Sequence, residues 1–324
     1  MPRRRLALIA NPTAGASAMD AVPTAPSRRR VLAAAVRDFR AQGFEVELRL
    51  ESHSDTIEEC ALQAARDSTE IVVAAGGDGT VNAVANGLMR ARKIVKAREV
   101  SPLLGVLPLG TGNVFAFNLG IPREWREACR VIGTGQTRTI DVGIARTVRS
   151  SKSKTRNFLL MAGIGYDAKV IEETSLRMKY VLRDFAYALK TLENVVRHQG
   201  TQMTLHFGDG TIYANLAWLV MVGNAASYAW NIKVTPHAEI DDGLLDVCLV
   251  PFENKLVSVQ QAMQVLTGQH VERGIAQYWQ VESLRVESSP NVPIQLDGDE
   301  WARTPVELSL APAALRVLVP DASA

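Results

Sequence analysis

Three times in its first half, this 324-residue chain runs an apolar segment straight into a turn built on glycine. Leu6-Ala7-Leu8-Ile9-Ala10 leads into Asn11-Pro12-Thr13-Ala14-Gly15. Ile71-Val72-Val73-Ala74-Ala75 leads into Gly76-Gly77-Asp78-Gly79-Thr80, and an apolar run at 103–107 leads into Leu109-Gly110-Thr111-Gly112-Asn113. Helix-like stretches at 28–42, 55–67 and 80–92 and a strand at 44–50 fill the intervals, with an Ala-, Ser- and Pro-rich loop at 15–27. Short apolar strands alternating with helices predict an α/β fold, an open parallel sheet with helical crossovers. In such a sheet the turns after the strands gather at one edge, where ligands bind.

Beyond residue 136 the pattern changes to short β-rich runs, at 139–144, 157–162, 202–207, 211–222, 245–250, 280–287, 293–297 and 306–310. They predict a β-rich, sandwich-like second domain, so the chain is read as domains 1–135 and 136–324 with a hinge near Gly133-Thr134-Gly135. Two helices interrupt it: 167–198, and a shorter one with Leu256, Val259, Met263 and Leu266 on one stripe.

Composition narrows the class. With 47% hydrophobic and 22% charged residues the chain is globular rather than disordered. A net charge of +2 gives no strong overall field and no expectation of nucleic acid as partner. The basic residues do cluster, at Arg3-Arg4-Arg5, Arg28-Arg29-Arg30 and Arg146 to Arg156. These clusters read either as solvated loops or as surfaces facing anionic lipid or nucleotide. Cys60, Cys129 and Cys248 have neither disulfide-framework nor zinc-site spacing, which fits a reducing cytoplasm. No stretch approaches the roughly 20 apolar residues of a membrane span, so any membrane contact is expected to be peripheral, at the inner face. The five histidines show no i,i+4 pairing and read as core or surface residues, while Trp125, Trp218, Trp279 and Trp301 read as core. Trp230, near Tyr228, reads as core or as lining a lipid entrance.

The turns carry the chemistry. Glycine reaches φ > 0 and lets backbone N–H groups close on an anion, and a following helix aims its positive end at the same place. Three such turns, rich in Gly, Thr and Asn, suit a triphosphate. Asp78 stands out, because an acid beside phosphates needs a metal ion or a proton transfer to justify it. The alternative is an Asx-turn or a helix cap.

Gly76-Gly77-Asp78-Gly79-Thr80-Val81-Asn82 and Leu107-Pro108-Leu109-Gly110-Thr111-Gly112-Asn113 resemble the signature turns of the diacylglycerol kinase catalytic-domain family, which includes bacterial lipid kinases and sphingosine kinases. Later motifs match in order: Gly163-Ile164-Gly165-Tyr166-Asp167-Ala168, Gly223-Asn224, Pro236-His237-Ala238, Asp241-Asp242-Gly243-Leu244-Leu245-Asp246-Val247 and Leu296-Asp297-Gly298-Asp299. The resemblance implies an ATP- and Mg²⁺-dependent lipid kinase of lipid metabolism. Such an enzyme phosphorylates a lipid hydroxyl, of diacylglycerol or long-chain-base type, at the membrane surface; the oligomeric state is left open, a homodimer included.

Carried over by position, the resemblance assigns ATP contacts to Asn11, Pro12, Thr13, Ala14, Gly15, Ser52, Gly76 through Asn82 (Gly76, Gly77, Asp78, Gly79, Thr80, Val81, Asn82) and Gly110, Thr111, Gly112 and Asn113. It places catalysis on Asp78, Asp297 and Asp299, where the family's Asp-Gly-Glu is shortened by one methylene at Asp299. A substrate contact falls on Asp167. A separate structural Mg²⁺ falls on the Asp242 carboxylate and the carbonyls of Glu239 and Leu244; an acidic surface turn is the alternative there. Asp-Gly also makes hairpin turns, which is compatible with catalysis at the same element. Two positions depart from the family: Val114 stands where an acid is common, and Ala16 to Ala18 lack the usual first-turn lysine. Two other readings stay open, a NAD-kinase-like enzyme acting on a soluble substrate and a nucleotide-binding regulator without transferase activity.

Overall fold

The computed structural model describes residues 4–12, 27–94, 101–148, 153–165, 200–229 and 232–321. Thr13, Ala14 and Gly15, the loop continuing to 26, Asp167, the helix expected over 167–198, and Trp230 lie outside the described residues. Two compact units are present, one formed by residues up to Ile140 together with those from Ala313, the other by Asp141–Pro312. This division differs from the one expected at 135, because the end of the chain returns to the first unit.

The first unit is a parallel sheet. β1 (Arg5–Ala10), β3 (Ile71–Gly76) and β4 (Leu103–Pro108) are buried along nearly their whole length. Continuous apolar runs are what a sheet covered on both faces requires. β2 (Glu45–Leu50) is the edge, and there the pattern breaks, with Leu48 and Leu50 exposed. The order is β4-β3-β1-β2, all parallel. Outside β4 lies the end of the last strand, β17 (Val306–Val319), with Val317 pairing Leu104 in parallel.

The crossovers are α1 (Arg28–Ala41), α2 (Ser54–Arg66) and α3 (Asp78–Ile94). α2 and α3 meet at Gly87, where a Cβ would lie 2.3 Å from the Glu58 carbonyl oxygen. Two helices not expected from the sequence follow β4: α4 (Val114–Asn118) and α5 (Trp125–Thr134). α5 does carry a signal, since the Glu124 carboxylate accepts the N–H groups of Arg126 and Glu127 as an N-cap.

The second unit is antiparallel and β-rich. It holds β6 (Thr155–Phe158), β7 (Met161–Gly165), β8 (Thr201–Phe207), β9 (Ile212–Gly223), β12 (Leu245–Pro251), β13 (Gln277–Val281), β14 (Ser283–Ser289), β15 (Pro293–Leu296) and β16 (Asp299–Arg303). β5 (Gln136–Thr147) enters it from the first unit, and the short β10 (Ser227–Ala229) and β11 (Ile232–Lys233) pair with each other. One path runs β16-β15-β7-β9-β8-β14-β17, with β12 pairing β9 and β13. Phe158, Ile164, Met203, Leu205, Val220 and Val247 are among its core side chains. The run expected as one strand over 157–162 is two, broken at Leu159-Leu160.

α6 (Lys255–Leu266) turns its expected stripe outward: Leu256 is 82% and Met263 51% exposed. Its buried side carries Ser258, Gln261, Ala262 and Val265, and Gln261 accepts the Trp218 indole N–H at 3.0 Å. A buried hydrogen bond between α6 and β9 thus overrides apolar periodicity.

Candidate functional site

The second turn opens α3. The Gly77 carbonyl accepts the N–H groups of Thr80 and Val81, so Gly77, Asp78 and Gly79 precede the first intrahelical donors. Thr80, Val81 and Asn82 are buried, leaving Gly77, Asp78 and Gly79 to reach the surface. The Thr80 side chain lies on Gly76, where a Cβ would come within 2.3 Å of its hydroxyl oxygen.

The third turn packs against the second as bare backbone. A Cβ on Gly110 would lie 2.3 Å from the Gly77 Cα, and one on Gly112 would lie 3.0 Å from an Asp78 carboxylate oxygen. Asn113, with φ +53°, closes this turn from within. Its amide donates to the Gly110 carbonyl and accepts the Gly110 N–H, both at 2.9 Å. Above Gly79, by contrast, a Cβ would meet nothing within 4 Å. A tight backbone floor, open on one side, at the N-terminus of a 17-residue helix fits a phosphate group.

The first turn joins through Asn11, whose amide donates to the Ser52 carbonyl at 3.4 Å, while the Ser52 side chain is exposed. Arg28 belongs to this edge too. It is 7% exposed, and its guanidinium donates to the carbonyls of Asn11 (3.3 Å) and Leu109. Of the Arg28-Arg29-Arg30 cluster, then, the first member is neither solvated nor facing a lipid surface. The available signal was its place at the first position of a helix whose opening turn holds no acid.

Asp78 serves as a cap for another element. Its carboxylate accepts the Phe115 N–H at 2.9 Å. Burial pushes this carboxyl above its usual range, and backbone hydrogen bonding, from Phe115 foremost, pulls it back only in part. A carboxylate offers about four acceptor sites. The Phe115 N–H takes one of them, so Asp78 caps α4 and keeps acceptor capacity for a further partner. Val114, at the position of the common family acid, is buried.

The acidic element of the second unit is a two-residue hairpin between β15 and β16. Leu296 pairs with Asp299, and Asp297 and Gly298 have φ of +50° and +93°. Positive φ at both central residues is what a type I′ turn demands, and Asp-Gly supplies it. The Asp297 carboxylate accepts the N–H groups of Leu159 (2.7 Å), Leu160 (2.8 Å) and Met161 (3.0 Å). Asn224 holds the same turn from the other side, donating from its amide to the Leu159 carbonyl and from its backbone to that of Leu160. Asp297 is thus an anchor. Asp299, two residues on, is exposed.

At the 239–244 loop, the Asp242 carboxylate accepts the Leu244 N–H at 2.9 Å and Asp141 accepts the Gly243 N–H at 2.7 Å. Among the described residues no three His, Cys, Asp or Glu side chains gather as a metal cluster. A cation here would rest on one exposed carboxylate and carbonyl oxygens, a donor set suited to a hard ion. Burial pushes the thiols of Cys129 and Cys248 up to about 12 and raises that of Cys60 as well. His270 and Trp218 are buried in the core. No described helix is long and apolar enough to cross a membrane.

Comparison with known proteins places this arrangement. Residues 5–145 match the diacylglycerol kinase catalytic domain, and residues 161–319 match the YegS C-terminal NAD kinase beta sandwich-like domain. The chain is 33% identical over 267 residues to "Probable lipid kinase YegS-like" of Chromohalobacter salexigens, covering 81% of each chain. It is 27% identical over 322 residues to the diacylglycerol kinase of Bacillus subtilis, covering 99% of this chain and 98% of the relative. In fold it is similar to a diacylglycerol kinase from Bacillus anthracis (TM-score 0.73, 21% identity, the whole of both chains). It is more distantly similar to yeast NADH kinase (TM-score 0.52, 11% identity, 99% and 84% of the chains). The chain belongs to the diacylglycerol kinase catalytic-domain family of lipid kinases.

Proposed function

We propose that this kinase transfers the γ-phosphate of ATP to the hydroxyl of a lipid of diacylglycerol or long-chain-base type. The observation that carries the reading is the Gly77–Gly110 floor, where two turns touch backbone to backbone at the start of α3. Phosphoryl transfer is largely a matter of positioning and charge stabilisation. Exposed N–H groups on a floor that excludes side chains supply both to a phosphate chain.

The acids then divide their work. Asp299 accepts the proton of the attacking hydroxyl, because its side chain is exposed while Asp297 is committed to three backbone donors. Asp297 holds Asp299 in place through the hairpin, and Asp78 holds the third turn by capping α4. Mg²⁺, when bound, neutralises phosphate charge, and Asp242 with the carbonyls of Glu239 and Leu244 would hold a separate structural ion. The lipid is met at a membrane surface, the protein acting as a peripheral one in the cytoplasm.

Incubation with γ-labelled ATP and a total lipid extract, with NAD offered in parallel, tests this directly. Label in a lipid identified by mass supports the reading. Label in NAD alone, or ATP binding with no labelled product, would replace it with one of the two other readings.

A further inference from the structure

Arg28 occupies a position that a helix does not favour. It opens α1, whose first turn carries three arginines and no acid, so its charge meets the positive end of the helix dipole. Its guanidinium is also buried, which costs further free energy unless its donors are well used. Both costs fall on a group that donates to the Asn11 and Leu109 carbonyls, 17 and 81 residues away.

These carbonyls lie just past the ends of β1 and β4, and β3 separates those strands. Strands two apart in a sheet stand roughly 10 Å from each other. One guanidinium with a hydrogen bond at each end bridges most of that distance, so Arg28 ties Asn11 to Leu109 across the end of β3. Both also stay laddered to it, Leu109 donating to Gly76 at 2.9 Å and Asn11 to Ala75 at 3.4 Å. β3 is the strand that delivers Gly76 to Gly79.

We propose that Arg28 is a positioning residue for the phosphates of the nucleotide. It clamps the first and third turns around the second and supplies fixed positive charge at that edge, in a chain whose first turn lacks lysine at Ala16 to Ala18. The inference rests on the reading that these turns bind ATP, and it needs no lipid product to be tested.

The experiment is calorimetric titration of Arg28→Gln and Arg28→Lys with ATP, tripolyphosphate and adenosine, alongside thermal melts. In Arg28→Gln the affinities for ATP and tripolyphosphate fall about ten-fold or more, as expected for a lost charge-assisted, two-point contact, while adenosine binding is unchanged. Arg28→Lys keeps the charge, loses the fork, and recovers part of the difference. Equal losses for ATP and adenosine, or ATP affinity in Arg28→Gln within two-fold of wild type, would overturn the assignment. Should Arg28→Gln fail to melt cooperatively, Arg28→Lys decides: its ATP-to-adenosine affinity ratio falls about three-fold or more, and an unchanged ratio overturns it. Wild-type protein that binds neither ATP nor tripolyphosphate would sink the nucleotide reading itself.

Discussion

Asp78 in the first unit and Asp297 in the second do similar structural work on opposite kinds of scaffold. Each carboxylate reaches out of its own turn to accept from the backbone of a distant one, Asp78 from Phe115 and Asp297 from Leu159, Leu160 and Met161. They differ in what surrounds them. Asp78 sits among glycines, at the N-terminus of a helix, where the exposed groups are backbone donors suited to an anion. Asp297 sits in a hairpin whose next side chain but one, Asp299, is an exposed acid. In both units the motif's aspartate ties its own turn to a distant segment of backbone.

The largest expected effect separates the two acids of the hairpin. Asp299→Asn should reduce phosphoryl transfer by about 10²- to 10⁴-fold, the range for loss of a general base, with an unchanged melting temperature and ATP affinity. Asp297→Ala leaves three N–H groups without their acceptor and should cost on the order of 3 kcal/mol in denaturant unfolding, with activity lost alongside stability. If Asp297→Ala melts like wild type but is inactive, the anchor and base roles are reversed.

Gly110→Ala tests the first unit at the floor itself. A Cβ 2.3 Å from the Gly77 Cα has no flexible partner to displace, so the turns must part. A loss of about 1–3 kcal/mol and a weakened ATP affinity are expected, read by thermal melt and titration. Unchanged ATP affinity would separate the floor from nucleotide binding.

The smallest effect concerns pH. Burial raises the Asp78 carboxyl in the folded protein, so the folded state takes up this proton more readily than the unfolded chain. The ionised group therefore costs stability above its folded pKa, and the cost is relieved as pH falls through that value toward the unfolded one, about 4. Asp78→Asn keeps an oxygen acceptor for the Phe115 N–H and removes the charge. Its melting temperature should exceed that of wild type near neutral pH and converge with it on acidification. A gap that widens as pH falls would contradict the burial account.

Much of this could be read along the chain. Buried apolar runs leading into glycine-bearing turns gave β1, β3 and β4 and the edge at which their turns gather, because local sterics act over a few residues. The Asp-Gly hairpin was legible for the same reason. The α6 stripe misled, since apolar spacing marks a helix face but cannot say which face meets the core when a buried Gln261 answers a buried Trp218. Arg28 was read only as part of a charge cluster, because charge in sequence does not reveal burial.

By itself, then, the order of residues determined the alternation of strands and helices, the glycine turns, and the kinase family they belong to. Tertiary structure alone decided that Val317 extends the parallel sheet beside Leu104, that Arg28 reaches Leu109, and that Asp297 holds a turn 136 to 138 residues away. Backbone preference is settled within a turn's length of chain. A hydrogen bond between distant segments exists only once strand register has brought donor and acceptor within about 3 Å.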